Sequence, residues 1–334
     1  MFTILSSIIL SFYLVELKFG NGEDTTLGSC SFSGIGPQLL FSNGTHVFSK
    51  DLDSNNLRIL VETMDSSVIY VDYDLIDGYI YWSDLDTNTI SRRRCRSGNE
   101  KSDKEVIVQQ QTNSRPIGIA VDSQNGHLYW ADQDGGPIRR SDFDGSNVVD
   151  ILNESLEKPT TITIDISNRW LYFSDHGKHT IERCTFDGSS RQILISNDVI
   201  SPYGLALDMD SKRLYWTDSA LYHIKSSKFD GSDVKTLSID VTPLGNIGIV
   251  VMGIDLYGSY MYASNINTGI YRIQKNKIHA VPERVFAIEQ DALIYGVKII
   301  KSHTNNATNE KGHVGQMQIL FAGMIFVEVL LNRM

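Results

Sequence analysis

The fold class predicted by the sequence is all-β: a six-bladed β-propeller of four-stranded antiparallel blades. Three observations lead there. A Tyr-Trp-x-Asp signature recurs in register, at Tyr81-Trp-Ser-Asp84, Tyr129-Trp-Ala-Asp132, Tyr172-Phe-Ser-Asp175, Tyr215-Trp-Thr-Asp218 and, degenerate, Tyr262-Ala-Ser-Asn265. The intervals between these tyrosines are 48, 43, 43 and 47 residues, the length of one propeller blade. Each interval is filled by short apolar runs set apart by turn residues, as consecutive strands are.

Within a repeat the elements follow in a fixed order. An apolar run ending in Asp comes first, as in Ile117-Gly-Ile-Ala-Val-Asp122 and Tyr203-Gly-Leu-Ala-Leu-Asp208. A polar turn such as Ser123-Gln-Asn-Gly-His127 leads into the Tyr-Trp strand. A third strand starts at Ile90, Ile138, Ile181, Ile224 or Ile270. Three repeats then place Asp-Gly at a tight turn, 144–145, 187–188 and 230–231. Asp-Gly suits the positive-φ positions of a two-residue hairpin, so it marks the step into a fourth strand; Asn147 to Leu152 and Arg191 to Ile195 are examples. The strands are apolar on both faces, as expected of blades packed between blades. Spacings of three and four that would signal helical repeats are missing.

The sixth blade comes from the two ends of the array. Leu39-Leu-Phe-Ser-Asn43, Val47-Phe-Ser-Lys50 and Asn56 to Val61 read as strands without a Tyr-Trp signature, and Tyr295 to Ile300 reads as a lone strand after the last repeat. If that strand completes the first segment, the ring closes and no sheet edge is left open at the junction.

Side chains alternate along a strand. Tyr81 and Ser83 therefore face one neighbouring blade, and Trp82 and Asp84 the other. A basic residue stands two positions after the third-strand Ile in four repeats: Arg92, Arg140, Arg183 and Arg272. Their recurrence alongside the aspartates predicts that these arginines pair across blades with Asp84, Asp132, Asp175 or their neighbours. A ring of aspartates could alternatively hold Ca²⁺ through oxygen ligands, but repetition in every blade argues for architecture, so no metal or cofactor is expected.

Composition narrows the partner class. The chain has 334 residues, 40 acidic against 30 basic, with a formal net charge of −10. No basic stripe interleaved with aromatics is present, which argues against nucleic acid. Ile4 to Val15 has the length of a signal-peptide apolar core, so residues 1–22 are read as a signal peptide and 23–36 as a lead into a propeller over 37–302. Asn43-Gly-Thr45, Asn153-Glu-Ser155 and Asn306-Ala-Thr308 are glycosylation acceptors of the N-x-Ser/Thr type. Three cysteines, Cys30, Cys95 and Cys184, are too few for a disulfide scaffold, and Cys30 is free to pair with another chain. Residues 303–334 form a polar linker and a short hydrophobic tail, open to three readings: free secretion, a lipid anchor or a truncated membrane protein. The expected localisation is extracellular, secreted or at the cell surface, with membrane contact only through that tail.

These in-register motifs resemble the YWTD, or class B, repeats of the low-density lipoprotein receptor family. That family includes lipoprotein and vitellogenin receptors, Wnt co-receptors and nidogen. The resemblance covers roughly Pro37 to Ser302 and implies a six-bladed propeller that captures an extracellular protein ligand on one rim, a shallow surface of acidic and aromatic residues. Wnt-related signalling and lipoprotein or yolk uptake are both consistent with it, and a matrix role like nidogen's is the alternative. Family propellers often carry Trp directly after the motif Asp, where this chain has Leu85, Gln133, His176 and Ser219.

Loops at one rim carry the variation in such a ring. The candidate contacts are Asp86, Arg115, Gln133, Asp134, His176, Tyr203 and Tyr222. His176 and His179 are read as solvated loop residues, with a pH-responsive contact as the sharper reading. No G-x-S-x-G, H-E-x-x-H or P-loop motif occurs. The chain is therefore read as a binding module and not an enzyme, the enzymatic alternative being a Ca²⁺-dependent propeller hydrolase such as a lactonase.

Overall fold

The computed structural model describes residues 36–301 except 55, 64–65, 96–103, 110–114, 238–250, 278 and 288–292. The predicted signal peptide, the C-terminal tail, Cys30 and Asn306 lie outside the described residues.

Six four-stranded antiparallel sheets form the ring, as the repeat predicts. Blade 1 comprises β4 (Val68–Asp74), β5 (Tyr79–Asp84), β6 (Thr89–Arg94) and β7 (Glu105–Gln109). Blade 2 comprises β8 (Pro116–Asp122), β9 (His127–Asp132), β10 (Ile138–Asp142) and β11 (Val149–Leu152). Blade 3 has β12 (Pro159–Asp165), β13 (Trp170–Asp175), β14 (Thr180–Thr185) and β15 (Gln192–Ile195). Blade 4 has β16 (Pro202–Asp208), β17 (Arg213–Asp218), β18 (His223–Lys228) and β19 (Lys235–Thr236). Blade 5 has β20 (Val251–Tyr257), β21 (Tyr260–Asn265), β22 (Gly269–Gln274) and β23 (Glu283–Ala287).

Blade 6 joins the two ends of the array. Its inner strand is β24 (Val297–Ile300), followed outward by β1 (Gln38–Ser42), β2 (His46–Asp51) and β3 (Leu57–Glu62). The closing register pairs Gln38 with Ile300 and Phe41 with Val297. The same register makes Leu40-Phe-Ser-Asn43 the equivalent of Tyr-Trp-x-Asp, since Ile119 opposite Trp130 corresponds to Val297 opposite Phe41. The six inner strands touch one another in sequence around the axis.

Each junction between blades is filled by motif side chains. Tyr81 of blade 1 shares a buried cluster with Trp130 of blade 2, and Tyr129 packs with Phe173 of blade 3. Tyr172 meets Trp216, and Tyr215 meets Met261 and Ala263. Tyr262 packs with Phe41 and Phe48, and Leu40 and Val47 close the circle on Trp82. A Tyr-position side chain thus always faces the following blade and a Trp-position side chain the preceding one. Rings of this size each bury roughly 150–250 Å².

The motif Ser or Thr adds polar stitching. Ser83 Oγ accepts from Tyr70 N (3.3 Å) and donates to the Ile117 carbonyl of the next blade (2.6 Å). Ser42 likewise donates to Ile69 O at 3.1 Å. Ser174 and Thr217 accept from Thr161 N at 3.2 Å and Gly204 N at 2.8 Å.

The arginines do not pair with the motif aspartates as expected. The register puts Arg92 opposite Tyr81, whereas Asp84 lies opposite Thr89. Three residues of strand separate the two, roughly 10 Å. Arg92 instead binds Glu105 (2.8 Å) and the Phe143 carbonyl of blade 2 (2.8 Å), and stacks on Tyr79. Arg183 repeats this with Gln192, Phe229 O and the Trp170 ring. Arg272 takes Glu283 and Tyr260, and Arg140 lies beside the Tyr129 hydroxyl. The nearest case to an expected pair is Arg139, which reaches Asp132 at 3.3 Å.

The carbonyls these arginines seek expose a signal that strand periodicity alone misses. Phe143, Phe186 and Phe229 each precede Asp-Gly and pack on the tyrosine of the preceding blade, at 5.4 Å from Tyr81, 5.2 Å from Tyr129 and 5.8 Å from Tyr172. The repeating unit is Phe-Asp-Gly. Its glycine has positive φ, and at Gly145 a Cβ would collide with Ile107 O on the previous blade's outer strand.

Cys95 is disulfide-bonded, and Cys184 is a free, buried thiol whose pKa burial pushes up to about 12.

Candidate functional site

The motif aspartates build the rim that carries the candidate residues. Asp175 is fully buried and accepts four backbone amides: Glu157 N (2.9 Å) and Lys158 N (2.8 Å) before β12, and Gly177 N (3.0 Å) and Lys178 N (3.1 Å) after β13. Asp218 does the same for Ile200, Ser201, Ala220 and Leu221. Asp84 holds Ser67, Asp86 and Thr87, and Asp132 holds Arg115 N at 2.6 Å. In the degenerate blades Asn265 caps Asn267 N and Asn43 caps His46 N. Most of these carboxylate oxygens are taken by amides of their own blade; Asp132 also takes the Arg139 guanidinium, and Asp84 Oδ2 is buried without a hydrogen-bond partner among the described residues. Among the described residues no group of three His, Cys, Asp or Glu is arranged to hold a metal ion.

Each aspartate therefore brings two loops together, the one entering a first strand and the one leaving a second. A backbone bond seals each pair: Leu85 N to Ser67 O, Gln133 N to Arg115 O, His176 N to Lys158 O and Ser219 N to Ser201 O, all 2.9–3.0 Å. By this pairing Asp86, Arg115, Gln133, Asp134, His176 and Tyr203 share one rim, with Tyr222 exposed at the β17–β18 turn. Asp86 accepts from Ser67 Oγ (2.6 Å), and Arg115 faces Asp134 at 3.9 Å.

Blades 3 and 4 join through His176. Its Nδ1 lies 3.0 Å from Ser201 Oγ, to which Ser219 Oγ also donates (3.0 Å). The Tyr203 ring stands 5.4 Å away and His179 6.3 Å away. Burial, then Lys158 and His179, lower the His176 pKa below the ordinary histidine value.

The axis itself is closed at this rim. Four blades place glycine where the inner strands cross, Gly118, Gly204, Gly253 and Gly296, each tight against a neighbouring inner segment. Blades 1 and 3 carry Tyr70 and Thr161 there. The Tyr70 hydroxyl spans the opening to Thr161 Oγ1 (2.6 Å) and Tyr203 O (3.4 Å). Beneath it a cavity of about 30 Å³ is lined by Thr163, Asp255 and Lys298 among others, room for a water or two and no organic substrate. Lys298 reaches Asp72 at 3.4 Å. Burial opposes its charge, yet Asp72 and Asp255 hold its pKa above the usual lysine value.

Of the glycosylation acceptors, Asn153 is exposed in the loop after β11, and the Asn43 side-chain oxygen is engaged in its cap. No helix among the described residues is long and apolar enough to cross a membrane.

Known proteins share this ring. Residues 169–209 match the low-density lipoprotein receptor repeat class B family model. No curated protein matches. Among solved structures, a crystal structure of a nidogen/laminin complex aligns with TM-score 0.69 at 21% identity, covering 80% of this chain and 99% of that one. Virginiamycin B lyase from Staphylococcus aureus, with quinupristin, aligns with TM-score 0.59 at 15% identity, covering 81% and 94%. A gluconolactonase from Xanthomonas campestris aligns with TM-score 0.55 at 18% identity, covering 70% and 83%. The last two correct the reading of this chain as not an enzyme. Missing linear motifs exclude only the chemistries those motifs serve, and the same ring carries a lyase and a gluconolactonase. What these structures share with this chain is the propeller fold.

Proposed function

We propose that this protein is an extracellular interaction module that binds a protein partner on the rim built by the motif aspartates, in a matrix-type role like that of nidogen. One observation carries the reading: buried aspartates fix paired loops from successive blades, and those loops present Arg115, Gln133, His176, Tyr203 and Tyr222 together. Rigid loops carrying aromatic and charged side chains suit a protein interface, because less ordering is left to do on binding. The nidogen/laminin complex, aligned over nearly all of that chain, favours a matrix partner over Wnt signalling or lipoprotein uptake. The disulfide at Cys95 fits an oxidising, extracellular compartment.

The test is recovery of partners from extracellular fluid with the recombinant protein, compared with a Gln133→Ala/His176→Ala variant. One partner should be lost from the variant while circular dichroism stays unchanged. Equal recovery by both proteins would refute the rim as the contact surface.

A further inference from the structure

One level of the inner strands carries charge in three adjacent blades and none in the other three. Strand register makes Asp72, Ala120, Thr163, Ala206, Asp255 and Lys298 equivalent, each opposite the Tyr position of its blade, which is Leu40 in blade 6. Blades 2, 3 and 4 fill the level with small side chains, whereas blades 5, 6 and 1 bring Asp255, Lys298 and Asp72 together. Lys298, on the closing strand β24, has its Nζ 3.4 Å from Asp72 Oδ1, and Asp255 on the other flank also favours its charge. The backbone of β24 is gripped from the same two sides. Ile299 N donates to Asp255 Oδ2 (2.7 Å), and Ile299 O accepts from the Tyr73 hydroxyl (3.1 Å). Backbone amides hold both carboxylates in place: Tyr73 N and Val121 N on Asp72, both 2.9 Å, and Leu256 N on Asp255 at 2.8 Å.

We propose that the Asp255–Lys298–Asp72 triad sets the register in which the ring closes. The β24–β1 pairing joins the two ends of the array, so no tight turn fixes its alignment as a turn does in a hairpin. The apolar pattern of β24 tolerates a shift of two residues, because such a shift keeps every side chain on its own face. The triad does not tolerate it. Moved one way, Lys298 takes the place of Gly296, where a Cβ would lie 2.6 Å from Ile69 O. Moved the other way, it takes the place of Ile300, in the apolar cluster with Leu40 and Trp82. Either shift also leaves Asp72 and Asp255 without their counter-charge, and a carboxylate withdrawn from water with no cation beside it is strongly disfavoured. Fixing register is the best-attested use of a charged or polar group in a core. The inference stands apart from the rim-binding reading.

Three full-length chains test it: the wild type, Lys298→Met, and the triple variant Asp72→Asn/Asp255→Asn/Lys298→Met, which is neutral yet keeps an acceptor for each backbone amide. In urea unfolding, Lys298→Met should lower the folding equilibrium constant roughly thirtyfold or more, because it strands two carboxylates, and the triple variant should return to within about threefold of wild type. Hydrogen–deuterium exchange then reads the register itself. Exchange at residues 297–300 should be about tenfold or more faster in the triple variant, while the inner strands of blades 2, 3 and 4 exchange at similar rates in both proteins. A triple variant whose residues 297–300 stay as protected as in wild type would overturn the assignment. So would a Lys298→Met chain as stable as wild type, or a triple variant no more stable than Lys298→Met, since charge balance would then not be what the closing strand requires.

Discussion

Replacing Trp130 with alanine should lower the unfolding free energy by about 3–5 kcal/mol, the range for buried aromatic truncations. Trp130 is fully buried between blades 1 and 2, against Tyr81, Ile90, Val108 and Ile119. A void there cannot collapse easily, because both walls are sheets fixed elsewhere in the ring. The indole N–H finds no acceptor, so the residue acts through area and shape. Trp130→Phe should therefore cost much less than Trp130→Ala, and blade 3 already uses Phe173 at the same position. Urea unfolding of the three proteins checks both points. Equal midpoints for alanine and wild type would mean that the junctions do not hold the ring.

Asp175→Ala should be nearly as damaging, by about 3 kcal/mol, because four amide donors lose one acceptor group and each buried orphan costs about 1–3 kcal/mol before water replaces the lost bond. Asp175→Asn keeps a carbonyl oxygen and should lose only about 1 kcal/mol. Asn265 and Asn43 fill this position in blades 5 and 6 and still cap backbone amides. The alanine variant should also lose rim binding in excess of its stability loss, since Lys158 and His176 ride on the two loops it frees. Thermal unfolding together with partner binding separates the two effects. A variant that binds normally at a temperature where it is folded would disconnect the aspartate from the rim.

These residues also show how far the sequence can be read. Tyr81, Trp82 and their repeats announce the blades, because a four-stranded unit that cannot bury its own faces must repeat its large side chains in register. Closure by residues 295–300 was legible as a spare strand. The equivalence of Leu40-Phe-Ser-Asn43 to the motif was not, because only the pairing register aligns it with the other blades. The Arg–Asp pairs failed for a geometric reason: recurrence fixes that two residues matter, and strand register decides whether they meet. Tyr70 and Thr161 were hidden for the opposite reason. They break the glycine pattern singly, in blades 1 and 3, and only three dimensions bring them across the axis. The rim candidates could be placed by loop order, while the contact of His176 with Ser201 across blades 3 and 4 depended on three-dimensional packing.

If the loops pinned by the motif aspartates form the binding surface, hydrogen–deuterium exchange with and without a recovered partner should locate the contact there. Protection should fall on residues 85–87, 115–116, 133–135, 157–159, 176–179 and 200–203. Protection confined to the opposite rim, at the turns 75–78, 123–126, 166–169 and 209–212, would contradict it.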